Sequence, residues 1–255
     1  MLNQDKRMTE IVQYIKENKY ITLEIICKLC GISRYTARKD LLSLEKRGIL
    51  TRTHGGAVLP ILNKEVKCYK DRLKSYSNEK KIIGKMAAAL IKNGKKIILD
   101  SSTTVEACVE FINEKNCYII TNSINLAELV IEIENTDIFL LGGKINKEHR
   151  YLYGPSTIAE LSNYCVDKAF IGTVGISEDG LTVAQEEDGH VVKKMIKQSN
   201  QVIVLADHSK FGRKGFFKCA DISDIDVIIT DKLPDKDLME IFYYNRVEVM
   251  VAEIE

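Results

Sequence analysis

The chain has 255 residues, of which 45% are hydrophobic and 29% carry a charge, proportions that are ordinary for a globular protein in water. No apolar run approaches the roughly 18 residues needed to cross a bilayer. Residues 1–7 lack the apolar core of a signal peptide. We therefore expect a cytoplasmic protein without a membrane-spanning segment, long enough for one large domain or for two smaller ones.

The net charge of +1 conceals an uneven distribution along the chain. Residues 1–58 contain 11 Lys and Arg against 6 Asp and Glu, whereas the remaining residues contain 26 against 30. A basic N-terminal segment on a mildly acidic body favours a polyanionic partner for that segment. Chance fluctuation would explain the same counts, so the motifs along the chain must decide.

The seven cysteines are scattered and odd in number, which in a protein that is not exported indicates reduced thiols. Cys27 and Cys30 have the CxxC spacing of zinc and redox sites. A structural zinc site needs about four ligands, and no second CxxC or HxxxH pair follows. We expect these two thiols to pack in a core, and we expect no metal site.

The first 58 residues begin with three predicted helices. Apolar residues at helical spacing predict a helix over residues 5–17. Thr22 is a suitable N-cap for a second helix that ends at Gly31. Ser33 is a suitable N-cap for a third helix, which extends to about residue 47 and is followed by a glycine.

A hairpin follows the third predicted helix. Residues 49–53 and 57–59 flank a His-Gly-Gly turn at residues 54–56, which is typical of two strands joined by a tight turn. Three helices followed by a β-hairpin are the order of a winged helix-turn-helix, which we predict over residues 1–58.

The third predicted helix has an apolar back and a polar, basic front. Ala37, Leu41 and Leu44 share one face, which we expect to pack on the first two helices. The opposite face suits the major groove of DNA, where Tyr35 and Thr36 are candidates for base contacts. The alternative is a solvated helix in a protein-docking module. The candidate DNA-binding residues are Ser33, Arg34, Tyr35, Thr36, Arg38, Lys39, Ser43, Arg52 and His54.

Residues 59–77 have many charges and no apolar period, and we interpret them as a linker that is in part helical.

Beyond the linker, short apolar runs alternate with amphipathic stretches, which is typical of a mostly parallel sheet covered by helices. We therefore predict an α/β fold: a winged helix-turn-helix followed by a larger, mostly parallel-sheet α/β effector domain over residues 78–255. The predicted strands are residues 97–99, 118–120, 138–141, 169–171, 202–205, 227–229 and 247–251. The predicted helices are residues 79–92, 104–113, 124–133, 155–163, 187–199 and 234–243.

Small polar residues, glycines and a lysine follow four of the predicted strands, at the edge of the sheet where α/β proteins bind ligands. The turn after the first strand has hydroxyl groups beside the free N–H groups of a helix start, which favours a phosphate. Lys210 supplies a cation for the phosphate and Asp207 an acceptor for sugar hydroxyls. Helix capping would explain each turn alone, but together the turns favour one shared pocket. The candidate effector-binding residues are Asp100, Ser101, Ser102, Thr103, Thr104, Thr121, Asn122, Ser123, Gly142, Gly143, Asp207, Ser209 and Lys210.

Motifs along nearly the whole chain resemble those of the DeoR family of bacterial regulators, which typically repress genes of sugar use. The matching segments are residues 33–41, 44–45, 48, 52–57, 100–104, 121–123, 141–143, 154–155, 167–170, 180–182, 207 and 209–212. The resemblance implies that the first domain binds operator DNA as part of a homo-oligomer. It also implies a second domain similar in fold to ribose-5-phosphate isomerase and glucosamine-6-phosphate deaminase, with a phosphorylated sugar as effector.

By the same resemblance, residues 101–104 hold the phosphate, while Asp100, Asn122 and Lys210 line the sugar end of the site. The sequence departs from the family pattern at Ser102, where a glycine is common. If that turn needs a positive φ, serine strains it.

A second departure from the family pattern and an acidic run lie further along the chain. Val174 stands where the family often has Asp or Asn, so one polar contact is missing. The acidic run at residues 186–188 matches an acidic family position, although the sequence does not show which of the three residues corresponds. His190 lies nearby, and we interpret it as a surface residue.

Three functions compete at this point. The first is a repressor controlled by a phosphorylated sugar. The second is a sugar-phosphate isomerase or deaminase with an accessory DNA-binding domain, for which residues 173–175 supply no carboxylate as a catalytic base, although residues 186–188 remain candidates. The third is a scaffold protein that uses the winged helix for protein docking. The sequence contains no nucleotide fingerprint, nucleophilic triad or complete metal-ligand cluster, so we expect no cofactor, and we favour the first function.

Overall fold

In the computed structural model the described residues are 3–18, 20–46, 49–53, 55–58, 69–75, 77–112 and 116–253. By its internal contacts the chain divides into two compact units. The first comprises residues 1–64 and 211–213 and is called the head, and the second comprises the remaining residues and is called the body. No helix within the described ranges is long and apolar enough to cross a membrane.

The described part of the head has the predicted three helices and hairpin in the predicted order, and the winged helix-turn-helix is confirmed. Its elements are α1 (Gln4–Asn18), β1 (Tyr20–Thr22), α2 (Leu23–Cys30), α3 (Arg34–Lys46), β2 (Thr51–Thr53) and β3 (Gly56–Val58). Strand β1 was not predicted, and it pairs with β3 to give a sheet of order β1-β3-β2. With three residues directly before a helix, β1 is too short to show an alternating pattern.

The core of the head forms where the apolar faces of its helices meet. Ala37, Leu41 and Leu44 of α3 are at most 1% exposed, as predicted. Cys30 is buried in the same core and Cys27 packs against it, so the expectation that this pair packs in the core is confirmed.

The body contains both a large parallel sheet and smaller antiparallel pieces. Its described helices are α4 (Tyr69–Lys74), α5 (Ser77–Ala89), α6 (Thr103–Glu106), α7 (Ile124–Val130), α8 (Pro155–Leu161), α9 (Glu186–Lys197) and α10 (Lys236–Tyr244). Its described strands are β4 (Lys95–Leu99), β5 (Cys117–Thr121), β6 (Thr136–Leu140), β7 (Lys144–Asn146), β8 (Tyr151–Tyr153), β9 (Lys168–Gly172), β10 (Gly175–Ser177), β11 (Gly180–Val183), β12 (Val202–Leu205), β13 (Phe217–Ala220), β14 (Val227–Thr230) and β15 (Glu248–Val251).

The seven apolar runs predicted as strands form one seven-stranded sheet, with the order β15-β14-β12-β9-β4-β5-β6. Every neighbouring pair is parallel, so the predicted α/β fold is confirmed. Because β12, β9, β4 and β5 are neighbours that run in one direction, their carboxyl ends lie side by side. The turns predicted to share a pocket therefore follow strands of the same sheet edge.

Both faces of this sheet are covered, which explains why its strands are continuous apolar runs. Ile97 and Leu99 of β4 belong to a core that also includes Ile83 and Ala87 of α5. Ile98, which points to the opposite face, is also 0% exposed.

Two smaller sheets in the body were not predicted. Strands β7 and β8 form an antiparallel pair, and β10, β11 and β13 form a three-stranded antiparallel sheet. These strands have three or four residues each, which is too short for a period to be recognised in the sequence.

Two predicted segments differ from the structure. The helix predicted over residues 104–113 is interrupted: α6 has four residues, and a separate 3-10 turn follows at Val109–Phe111. In the predicted linker, residues 69–74 form α4, whereas residues 59–68 and 76 lie outside the described residues.

Candidate functional site

The exposed face of α3 carries most of the predicted DNA-binding residues. Tyr35 is 79% exposed, and Arg38 and Lys39 are exposed as well. Ala37 and Leu41, on the opposite face, are buried. The helix therefore has a packed back and a free, basic front, which is the arrangement that a major groove accepts.

Ser33 and Thr36 hold the start of this helix as well as facing solvent. The backbone N–H of Thr36 donates a hydrogen bond to Ser33 Oγ at 3.2 Å, and the two hydroxyl oxygens lie 3.0 Å apart. Ser33 is therefore the cap that the sequence predicted. Ser43, further along the helix, is half-buried.

Two predicted arginines form exposed ion pairs. Arg34 lies 2.8 Å from Glu24, and Arg52 on the wing lies 3.7 Å from Glu45. Exposed pairs of this kind contribute little to stability, so a DNA phosphate can replace the carboxylate. His54, the other predicted wing residue, lies outside the described residues.

Asp40 has a structural role that the sequence reading missed. It is 1% exposed on α3, and its Oδ2 accepts a hydrogen bond from Arg7 Nε of α1 at 2.8 Å. A second bond joins Arg7 Nη2 to Asp40 Oδ1 at 3.2 Å. This two-point contact fixes α3 against α1 and thereby orients the exposed face.

In the body, the turn after β4 is built around Asp100. Its side chain is buried, and Asp100 Oδ2 accepts a hydrogen bond from the N–H of Gly172, at the end of β9, at 2.8 Å. Burial raises the pKa of this carboxyl to about 6, although the Gly172 N–H lowers it. A Cβ added at Gly172 would lie 2.1 Å from Ser102 Oγ, so glycine is needed there for the turn to fit.

The concern about strain at Ser102 was wrong. Ser102 has φ of −78° and ψ of 139°, an ordinary extended conformation. Its Oγ accepts a hydrogen bond from the N–H of Thr104 at 3.1 Å, so it caps α6. Since α6 is a single turn, its dipole is a weaker anion-binding element than the predicted ten-residue helix would be.

Of the three predicted residues after β5, two form hydrogen bonds that hold the fold and one has a polar atom left for a ligand. Thr121 Oγ1 donates a hydrogen bond to the carbonyl of Leu99 at 2.7 Å, and Ser123 caps α7. Both side chains are buried and serve the framework. Asn122 differs, because its Nδ2 donates to the carbonyl of Leu152 at 3.0 Å while its buried Oδ1 has no hydrogen-bond partner among the described residues.

The two predicted glycines after β6 contact α8. The N–H of Gly142 donates to Glu160 Oε2 at 3.1 Å. A Cβ at Gly143 would lie 2.2 Å from Thr157 Oγ1. Gly143 therefore packs closely on α8, while the close approach of either glycine to a ligand stays a prediction.

After β12, the predicted Asp207 and Lys210 lie together. Asp207 is fully buried, and its Oδ1 accepts a hydrogen bond from the N–H of Ser209 at 3.0 Å. Its Oδ2 lies 3.8 Å from Lys210 Nζ. An acidic and a basic side chain therefore end at the same place on the sheet edge.

Two further cations, Lys80 of α5 and Arg72 of α4, were not predicted. Lys80 is buried, and its Nζ donates a hydrogen bond to the backbone carbonyl of Arg72. Burial, together with the positive charges of Lys210 and Arg72, lowers the pKa of Lys80 to about 8. A buried lysine whose charge is disfavoured by two nearby cations is suited to an anion close to it.

Asp188, on the first turn of α9, is the least exposed residue of the acidic run at residues 186–188. Its neighbours Glu186 and Glu187 are exposed. Burial and the nearby charge of Asp100 raise the pKa of Asp188 to about 7. Two buried carboxyl groups therefore face one region of the site. His190, on the same helix, has a side chain that is 50% exposed, in agreement with the prediction of a surface residue.

Several buried polar atoms around these residues have no hydrogen-bond partner in the described part of the chain. They are Arg72 Nε, Asn122 Oδ1, His149 Nδ1, Asp188 Oδ1 and Asp207 Oδ2. Buried polar groups are normally paired, because an unpaired one costs roughly 1–3 kcal/mol. Arg72 acts through its charge on both His149 and Asp188, and this set of unpaired atoms indicates a place that a polar ligand fills.

Two family models match the chain. The model described as "DeoR C terminal sensor domain" matches residues 75–232, and the one described as "DeoR-like helix-turn-helix domain" matches residues 7–61. The matches follow the same order along the chain as the head and the body.

The curated relatives that match along almost the whole chain include two named repressors. The "HTH-type transcriptional repressor GlcR" of Bacillus subtilis is 50% identical over 250 residues, covering 98% of this chain and 97% of that protein. The "Glycerol-3-phosphate regulon repressor" of Escherichia coli (strain K12) is 30% identical over 252 residues, covering 97% and 99%. Among solved structures, ribose 5-phosphate isomerase A from Methanocaldococcus jannaschii matches with a TM-score of 0.39 and 23% identity, covering 54% of this chain and 55% of that one.

Proposed function

The chain belongs to the DeoR family of transcriptional repressors, and we propose that it represses genes of carbohydrate metabolism under the control of a phosphorylated sugar. The effector binds in the body, at the carboxyl ends of β4, β5, β9 and β12. The head binds operator DNA through the exposed face of α3. A bacterial repressor acts on the chromosome, so we place the protein in the cytoplasm.

The observation that carries this proposal is the opposite polarity of two neighbouring groups in the body. Arg72, Lys80 and Lys210 supply positive charge, which suits a phosphoryl group. Asp188 and Asn122 contribute buried oxygens without hydrogen-bond partners among the described residues, which require donors such as sugar hydroxyls. A phosphorylated sugar satisfies both requirements with one molecule.

For the head, we propose that α3 enters the major groove. Tyr35 and Thr36 contact base edges, while Arg34, Arg38 and Lys39 contact phosphates. Two heads of a homo-oligomer would bind two half-sites about 34–36 Å apart or a multiple of that distance. The exposure of this face supports the proposal.

We propose that the effector is bound and released unchanged. Residues 173–175, at the end of β9, supply no carboxylate, and the relatives from Bacillus subtilis and Escherichia coli compared above are named repressors. Turnover of ribose 5-phosphate or glucosamine 6-phosphate by the purified protein would contradict this part of the proposal.

The test combines ligand binding with DNA binding. Purified protein is heated with glycerol 3-phosphate, ribose 5-phosphate, glucose 6-phosphate or glucosamine 6-phosphate. Each compound is compared with its parent compound without the phosphate. A ligand present at about 100 times its Kd should raise Tm by about 5 °C or more. The compound that does so should change affinity for operator fragments enriched from genomic DNA. A protein that binds no DNA with or without these compounds is not a repressor.

A further inference from the structure

We propose that the hydrogen bond between Tyr69 and Glu106 transmits the state of the effector site to α4, and so to the segment that joins body and head. Both residues belong to the body. The inference rests on the proposed function, since it assigns regulation to the same site. It makes Tyr69 and Glu106 positioning residues that need not touch the effector.

The Tyr69–Glu106 bond links α4 to the hydroxyl-rich turn. Tyr69, the first residue of α4, donates its phenolic hydrogen to Glu106 Oε1 at 2.7 Å. Glu106 is the last residue of α6, the one-turn helix that continues from the turn after β4. Both groups are half-buried, and burial raises the pKa of Tyr69 and of Glu106. In such surroundings a bond to a carboxylate is stronger than one between neutral groups.

A second contact links the same short helix to the cations of the site. Lys80 Nζ donates to the backbone carbonyl of Arg72, in the middle of α4. The Nε of Arg72 is buried without a hydrogen-bond partner among the described residues. Helix α4 therefore contacts Glu106 on the side of the turn and Lys80 on the side of the cations.

The position of α4 in the sequence gives these contacts a consequence. A six-residue helix is too short to be stable by itself, so its contacts with the body determine whether it forms. It is also the first described element after residues 59–68, through which the chain runs from head to body. An anion that draws Lys80 and the turn after β4 towards itself would change the Glu106 and Lys80 contacts of α4 at once.

Three substitutions separate transmission from binding. Tyr69→Phe removes only the hydroxyl group, and Glu106→Leu removes the acceptor. Glu106→Gln removes the charge but keeps an oxygen that accepts the Tyr69 bond. Tyr243→Phe is the matched control, because Tyr243 is 87% exposed on α10. Each variant is titrated with glucose 6-phosphate and glucosamine 6-phosphate by calorimetry, and with operator DNA in the presence and absence of the same compounds.

An effector usually changes the affinity for a second ligand by about 5–150-fold, and we expect the sugar phosphate to change the operator affinity of the wild type within this range. In Tyr69→Phe and Glu106→Leu, the ratio of operator affinities with and without sugar phosphate should be less than about 2-fold. Their affinity for the sugar phosphate should stay close to that of the wild type, and Glu106→Gln and Tyr243→Phe should keep the full ratio. An unchanged ratio in both Tyr69→Phe and Glu106→Leu overturns the proposal. So does loss of sugar-phosphate binding in either, because the pair would then belong to the binding site itself.

A ligand-free measurement distinguishes this proposal from the proposed function. Amide hydrogen exchange of residues 69–74 should be faster in Tyr69→Phe than in wild type, while that of α5 stays the same. If no sugar phosphate binds the wild-type protein, the proposed function fails, and the exchange experiment alone decides whether the bond holds α4. Unchanged exchange in α4 would show that it does not.

Discussion

At the scale of single residues, ionising the buried carboxyl groups of Asp100 and Asp188 at high pH lowers the stability of the ligand-free protein. Burial raises their pKa to about 6 and about 7, from an ordinary value of 3.8. The folded protein therefore holds these protons more tightly than the unfolded chain does. The protonated carboxyl groups therefore contribute fully to stability below about pH 4. This contribution is lost as they ionise, when the pH rises through about 7.

Replacing Asp188 by Asn should consequently stabilise the ligand-free protein at pH 8. The amide cannot ionise, so we expect Tm to rise by a few degrees at pH 8 and the gain to shrink towards zero at pH 4. Thermal unfolding followed at intervals between these values measures the effect. Glu187→Gln is the control, because Glu187 is exposed on the same helical turn. A rise in Tm that does not depend on pH would contradict a raised pKa for Asp188.

The buried lysine of the site can be tested against its own neighbour. Lys80 is buried, whereas Lys81 has a side chain that is 65% exposed. Lys80→Met removes the charge and keeps an apolar stem of similar length, so we expect at least about 10-fold weaker binding of the active sugar phosphate. Lys81→Met should bind as the wild type does. Calorimetric titration of both variants decides, and equal affinities would remove Lys80 from the site.

Lys80 and Asp188, which were not predicted as effector-binding residues, carry a signal in the sequence that could have placed them there. Lys80 precedes Ile83 and Ala87 on the buried face of α5, and Asp188 has the same position before Val191 and Val192 on α9. A charged residue in register with an apolar stripe is buried with it, and a buried charge requires a partner. Arg72 carries no such signal, because α4 has no buried residue to define a face.

At the scale of elements, long apolar runs were predictable and short strands were not. The seven strands of the parallel sheet are buried on both faces, so hydrophobicity alone reveals them. Strands β7, β8 and β10 have three residues each, and their pairing depends on contacts that are distant in sequence. The tyrosine of β8, Tyr151, donates to Gln185 Oε1 at 2.7 Å across 34 residues, a contact that no local pattern contains.

The junction between β9 and the turn after β4 should tolerate no side chain. A Cβ at Gly172 would lie 2.1 Å from both Cβ and Oγ of Ser102, so the turn must move. We expect Gly172→Ala to lower the free energy of unfolding by about 1–3 kcal/mol and to weaken sugar-phosphate binding.

Gly142→Ala is the matched control for this substitution. The nearest atom to an added Cβ at Gly142 is Glu160 Oε2, at 3.7 Å, which is an ordinary contact. Chemical denaturation of both variants should therefore separate them. If the two lose stability equally, close packing at Gly172 is not the cause.

At the scale of the whole molecule, the basic excess of the chain lies in its first 58 residues, where we propose that DNA binds. The basic excess of the first 58 residues includes Arg38 and Lys39 on the exposed face of α3. Each phosphate contact releases a counterion, so the logarithm of DNA affinity falls with the logarithm of salt concentration. The salt dependence therefore counts contacts, whereas affinity at one salt concentration does not.

Replacing Arg38 or Lys39 by Ala should lower that slope by about one for each residue, and should weaken binding to all DNA sequences alike. Tyr35→Ala should leave the slope unchanged and reduce the preference for operator over unrelated DNA. Lys16→Ala, an exposed change on α1, serves as the control for net charge. All four variants should keep the wild-type rise in Tm with sugar phosphate, because the head and the body are separate units. If Lys16→Ala lowers the slope as much as Arg38→Ala does, DNA responds to the total charge of the head, and α3 is not the reading helix.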